Sequence, residues 1–151
     1  MMNRRSVLKA VFTGGVVAGM GVLMPRIAMA AWSKAAFGAE SQEIAMGALY
    51  EVNPSASAEV TLKAPDIAEN GAVVPISVKS SLSGVTSIAI LVAGNPLPLA
   101  AQFTIPEGTL ANVSCRIRMG KTSNVTAVVT TASGAFSASK EVKVTIGGCG
   151  G

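Results

Sequence analysis

Two cysteines carry most of the chemistry open to this 151-residue sequence, and they stand in very different surroundings. Cys149 lies in Gly147-Gly148-Cys149-Gly150-Gly151, the last five residues. Glycine has no Cβ and wide backbone freedom. Gly147 and Gly148 therefore read as a thin hinge, and Gly150 and Gly151 as a bare tip. Fully extended, five residues reach about 17 Å, and no neighbouring side chain would bar the thiol from a narrow cleft. Such a tail suits a mobile arm that inserts its sulfur into the active sites of other proteins. An ordinary thiol, with a pKa near 8.5, is only a few per cent thiolate at neutral pH, so activation has to come from a partner's site or from oxidation. A frayed terminus with an incidental cysteine is the competing reading. An exposed free thiol is, however, a liability in an oxidising compartment unless it serves something. A prenyl anchor would need the cysteine fourth from the end, followed by aliphatic residues.

Cys115 is different in kind. In Val113-Ser114-Cys115-Arg116-Ile117-Arg118-Met119 it alternates onto the apolar face with Val113, Ile117 and Met119. Buried there, it behaves as a small hydrophobe. A disulfide to Cys149 would require that face to open, so Cys115 reads as structural. The remaining inventory is poor in catalysts. The sequence has no histidine, which removes the commonest general base and thiol activator. Without histidine, and with two separated cysteines, a transition-metal site lacks ligands. There is no CxxC, and the acids form no recognisable pair. The expectation is no catalytic residue, no metal and no cofactor beyond what Cys149 holds covalently.

The N-terminus, MMNRRSVLKAVFTGGVVAGMGVLMPRIAMA, sets a basic opening before a glycine-rich apolar stretch and a small-residue Ala28-Met29-Ala30 site. This is the anatomy of a removable signal peptide over 1–30. The apolar run is short for a membrane span and carries Gly14, Gly15, Gly19 and Gly21, so membrane insertion is the weaker reading. Arg4-Arg5-Ser6-Val7-Leu8-Lys9 resembles a twin-arginine signal, which implies export of a folded protein to the bacterial periplasm. Folded export makes sense for a chain with a cofactor or a travelling partner, and the chain shows no cofactor site. Arg4, Arg5, Lys9 and Arg26 all lie in the leader. The eight basic residues beyond it are matched by eight acids, so the net charge of +4 belongs to the discarded segment. Nucleic-acid binding is not supported.

Roughly 120 residues remain, enough for one domain with one core. The stretch 31–52 begins AWSKAAFGAESQEIAMGALY, lacks proline over that length, and carries an apolar stripe through Phe37, Ile44, Met46 and Leu49. It reads as one helix, with Gly38 the point where it could break, docking on the domain or on a partner. From 53 to 146 the period is two. Val74, Ile76 and Val78 alternate with Pro75 and Ser77, and Ile88, Ile90 and Val92 lie opposite Ala89 and Leu91. Val125, Ala127 and Val129, then Val142, Val144 and Ile146, repeat the pattern. Turn signals separate the runs at Glu69-Asn70-Gly71, Gly94-Asn95-Pro96, Pro106-Glu107-Gly108 and Ala132-Ser133-Gly134. Six or seven short strands so spaced predict an all-β, immunoglobulin-like antiparallel β-sandwich, followed by the arm over 147–151. Pro75 points to an edge position for its strand, and edges attract pairing from other chains.

These features together resemble the SoxY family, the sulfur carriers of the bacterial thiosulfate-oxidising (Sox) system. The resemblance rests on Val144-Thr145-Ile146-Gly147-Gly148-Cys149-Gly150-Gly151 at the extreme C-terminus. It is supported by Asn95-Pro96-Leu97-Pro98-Leu99-Ala100-Ala101-Gln102-Phe103, Arg116-Ile117-Arg118-Met119 and Asn70-Gly71-Ala72-Val73-Val74-Pro75. Leu97 stands where the family often has an aromatic, and Cys115 is a thiol beyond the one the family mechanism requires. The resemblance implies that Cys149 carries sulfur intermediates covalently while other proteins act on them. A haem c-containing enzyme couples thiosulfate to the thiol, a metal-dependent hydrolase releases sulfate, and in many organisms a sulfane dehydrogenase oxidises the remaining sulfur. It also implies a heterodimer with a SoxZ-like β-sandwich subunit that leaves the cell on the same signal. Two other classes stay open on the residues alone: a structural or adhesion-type exported sandwich cross-linked through Cys149, and a thiol enzyme, which the missing histidine and CxxC disfavour.

Overall fold

Two serines start the helical segment. In the computed structural model, which describes residues 33–51 and 53–145, Ser33 caps a single-turn helix α1 (Lys34–Phe37) by accepting from the Ala36 amide at 3.3 Å. Gly38 ends it, donating its amide to the Lys34 carbonyl. Ser41 then caps α2 (Gln42–Leu49), accepting from the Ile44 amide at 3.2 Å. Serine satisfies an orphan amide at a helix start better than it serves a helix interior. The single helix expected here is accordingly two, divided at Gly38. The leader expected over 1–30 lies outside the described residues.

Nine strands follow among the described residues: β1 (Ser55–Ala56), β2 (Val60–Lys63), β3 (Ile67–Ala68), β4 (Val74–Ser80), β5 (Val85–Val92), β6 (Leu99–Thr104), β7 (Asn112–Ile117), β8 (Ser123–Thr131) and β9 (Gly134–Val144). They form a larger sheet in the order β1-β9-β8-β5-β6, with β3 also on β9, and a smaller sheet β2-β4-β7. The long ladders are antiparallel, whereas the two-residue strands β1 and β3 join β9 in parallel. The all-β sandwich expected from the alternation is the observed architecture. Val74, Ile76 and Val78 from the small sheet meet Ile88, Ile90, Val92, Val125, Ala127 and Val129 from the large one, forming the main core.

The larger sheet is buried on its second face as well. Ala89, Leu91, Leu99 and Val128 pack against Ala36, Ala39 and Ala45, with Phe37, Met46, Leu49 and Tyr50 closing the edges. The helices therefore make a third layer, and this explains why β5 and β8 read as continuous apolar runs. Fully burying a side chain such as Leu91 contributes about 1.5–3 kcal/mol. Alanines at the contact let the helices approach closely. Of the expected stripe, Phe37, Met46 and Leu49 dock on the sheet, whereas Ile44 points outward and is 60% exposed.

Pro75 corrects one expectation. Its strand, β4, is the middle strand of the small sheet, not an edge. The β2 ladder covers only Ser77 to Ser80, so at Pro75 the side away from β7 has no β2 partner. The missing amide therefore costs no ladder bond there.

Burial pushes the Tyr50 hydroxyl up to about 12, and the neighbouring Thr130 hydroxyl offsets part of that rise. Neither hydroxyl reaches hydrogen-bond geometry with a partner among the described residues. A folded-state value above the unfolded one means stability that is intact below about pH 10 and falls as pH climbs toward 12. Tyr50→Phe is expected to unfold at the same or higher urea at pH 7. It should also lose less of its urea midpoint than the parent between pH 10 and 12, which chemical denaturation at both pH values would check.

Candidate functional site

Cys149 and the glycines 147, 148, 150 and 151 lie outside the described residues. What the structure does define is the platform from which they leave.

Three loops from distant parts of the sequence converge on the end of β9. In the β7–β8 connection, Thr122 Oγ1 accepts from the Val144 amide at 2.9 Å and lies 3.5 Å from the Val144 carbonyl. On the other side, β3 pairs Ala68 with Val144, and the Thr145 amide donates to the Ala68 carbonyl at 3.2 Å. Lys140 secures the approach to β3, donating to the Ala64 carbonyl at 2.6 Å and pairing with Asp66 at 2.9 Å. The β3–β4 turn brings the Gly71 carbonyl to the Met119 amide at 2.7 Å. Finally, in the β5–β6 connection, the Asn95 side-chain amide donates to the Arg118 carbonyl at 2.7 Å, while its Oδ1 accepts from the Gly120 amide at 3.0 Å.

The sequence stretches around Asn70, Asn95 and Arg116, far apart in the chain, are thus assembled at one end of the sandwich. Their shared role was invisible to local patterning. Asn95 and Arg118 are 23 residues apart, and Thr122 and Val144 are 22 apart. The only hint was turn chemistry at Asn70-Gly71 and Gly94-Asn95.

Cys115 is a free, half-buried thiol on β7, opposite Ile76 and packed against the main core. Burial raises its pKa, so it is held as the protonated, weakly nucleophilic form at neutral pH. The structural role expected for it agrees with this placement. Two surface clefts offer no alternative centre. One of about 330 Å³ is lined by Glu40, Glu43, Asn124, Thr126 and Ser139, and one of about 430 Å³ by Thr86, Ile105 and Glu107. Neither is lined by a cysteine or a cationic side chain. Among the described residues no cluster of three or more His, Cys, Asp or Glu side chains could hold a metal ion, and no helix is long and apolar enough to cross a membrane.

The family model for the sulfur oxidation protein SoxY matches residues 46–149, a span that ends on Cys149 itself. The chain belongs to the SoxY family. The SoxY-family match takes in the C-terminal half of α2, the whole sandwich and the start of the glycine-rich tail. The chain is also similar to the solved structure of the sulfur carrier protein SoxY from Chlorobium limicola f thiosulfatophilum. The two are 40% identical with a TM-score of 0.62, over 69% of this chain and 96% of that one. The bacterial superantigen toxic shock syndrome toxin-1 aligns at 10% identity and a TM-score of 0.41, over 57% of this chain and 99% of that one. An engineered protein aligns at 21% identity and a TM-score of 0.40, over 60% of this chain and 21% of that one. At those levels neither bears on function. No curated protein matches the chain at a significant level.

Proposed function

We propose that this chain is a covalent sulfur carrier in sulfur oxidation, holding its cargo on Cys149 and presenting it to partner enzymes. The observation that carries the reading is a SoxY-family match running through residue 149, on a chain whose other cysteine is packed into the core face of a strand. The similar Chlorobium structure is itself that of a sulfur carrier.

The chemistry asks little of the carrier. The Cys149 thiolate and thiosulfate form a sulfur–sulfur bond to give a protein-bound S–S–SO3⁻ group, and two electrons pass to a haem c-containing coupling enzyme. Water, activated by a metal-dependent hydrolase, then attacks the terminal sulfonate sulfur. Sulfate and two protons leave, and a persulfide anion stays on Cys149. A sulfane dehydrogenase takes that sulfur onward before a last hydrolysis restores the thiol. Every general base, metal and electron acceptor sits on a partner, in keeping with a chain without histidine. The glycine flanks of Cys149 serve as the swinging arm. The proposal includes heterodimerisation with a SoxZ-like subunit, and folded export to the periplasm on the twin-arginine leader.

The test is an intact mass spectrum of the mature protein, isolated unreduced from cells given thiosulfate. Sulfur or thiosulfonate increments that vanish on reduction and map to the peptide containing Cys149 are the expected result. Increments that map to Cys115 would overturn the site. A bare or merely disulfide-dimeric protein would favour the cross-linked structural sandwich.

A further inference from the structure

We propose that Asn95 and Thr122 are positioning residues that fix the point and direction from which the Cys149 arm leaves the domain. The inference rests on the carrier reading for its purpose, but not for its test.

The end of a strand that runs into a glycine-rich terminus ordinarily frays. Here Val144 is held from both sides, by the Thr122 hydroxyl at 2.9 Å on one and by its pairing with Ala68 on the other, and the Thr145 amide donates to the Ala68 carbonyl at 3.2 Å. Thr122 can do this only if its own loop is fixed. The five-residue connection Arg118–Thr122 is tied down at three successive residues by two other loops. Asn95 takes the Arg118 carbonyl and the Gly120 amide, and Gly71 takes the Met119 amide. Asn95 thus acts on the arm through the turn, and Thr122 acts on its root directly. Both side chains lie in surface connections rather than in the main core. The hydrogen bonds they make go to backbone groups that set the course of the chain.

The consequence for a carrier is a defined starting point. Without the Thr122 hydroxyl, Val144 keeps only its β3 side, so the end of β9 can pivot about Ala68 and no longer sets one direction for the chain that follows.

The test places one nitroxide on Cys149 and a second on Lys79→Cys, an exposed position on β4, in a full-length mature chain carrying Cys115→Ala. Distance distributions between the two labels are then compared by pulsed electron paramagnetic resonance. Thr122→Val, which keeps the shape and deletes the hydroxyl, is expected to widen the distribution. Asn95→Ala should widen it likewise, and Thr122→Ser, which keeps the hydroxyl, should restore the parental width. In unlabelled protein the same variants should raise the KM for coupling-enzyme loading of Cys149 while kcat stays put. The rate of Cys149 alkylation by iodoacetamide should be unchanged. Unaltered distributions in both Thr122→Val and Asn95→Ala, or a Thr122→Ser distribution as wide as that of Thr122→Val, would overturn the assignment. Failure of the carrier reading would show separately, as a Cys149 that never acquires sulfur while the distance distributions still respond.

Discussion

Under the proposed carrier function, replacing Cys149 by serine is expected to abolish thiosulfate-dependent sulfate release in a mixture of this chain with a SoxZ-like subunit, a coupling enzyme and a hydrolase. Cys115→Ala should leave that release intact. The reasoning is chemical before it is structural. Serine preserves the size and position of the side chain but cannot form the sulfur–sulfur bond on which loading depends, so the loss is complete and not a matter of geometry. Cys115 cannot stand in. It is half-buried on β7 between Val113 and Ile117, facing Ile76 across the small sheet, and burial keeps its thiol protonated where a nucleophile must ionise. Its removal is expected to cost packing only, about 1 kcal/mol for a small atom lost from the margin of a core, which a urea melt would register. Sulfate release that survives Cys149→Ser but not Cys115→Ala would move the cargo to the strand. Release lost in both variants would point to a relay between the two thiols.

Some of this was legible in the sequence, for physical reasons that can be named. The Cys149 reading is the sequence's alone, since that residue lies outside the described ones: glycine on both sides of a cysteine has no use in a packed strand. The inward faces of β4, β5 and β8 followed from period-two alternation, since side chains on a pleated strand point alternately to opposite sides. Alternation says nothing, however, about what covers the second side. The burial of Leu91 and Val128 depends on α1 and α2 lying across the outer face of the larger sheet, a contact that only the fold creates. The weak stripe of the helical segment left Ile44 looking equivalent to Met46, but the buried face of α2 is the one carrying Ala45, so Met46 packs on the larger sheet and Ile44 stays exposed. Pro75 misled because an edge was inferred for a whole strand, whereas β4 lacks a β2 neighbour only around that residue. Asn95 and Thr122 could not have been found by any local rule. Each makes its decisive bonds more than twenty residues away, and an asparagine beside glycine and proline reads simply as a turn.

The same long-range assembly makes Gly71→Ala the substitution with the largest expected effect on stability outside the core. A Cβ at Gly71 would run into the Met119 carbonyl oxygen and lie 2.9 Å from Val144 Cγ1. The first obstacle is backbone, which cannot swing aside as the end of a long side chain can. Either the β3–β4 turn retreats and loses the Met119 amide bond at 2.7 Å, or the β7–β8 connection shifts and carries Thr122 with it. Overpacking of this kind costs about 1–3 kcal/mol, seen as a lower urea midpoint with an unchanged slope. Gly47 supplies the control, because the chemical change is identical and the surroundings are not. It sits inside α2 with nothing within 4 Å of a added Cβ, so Gly47→Ala should raise stability by about 0.5–1 kcal/mol through helix propensity alone. Opposite signs from the same substitution would tie the loss at residue 71 to contact with Met119 and Val144. If Gly71→Ala matched the parent midpoint, the turn would not press against the β7–β8 connection in solution, and one of the three supports under the root of the arm would be gone.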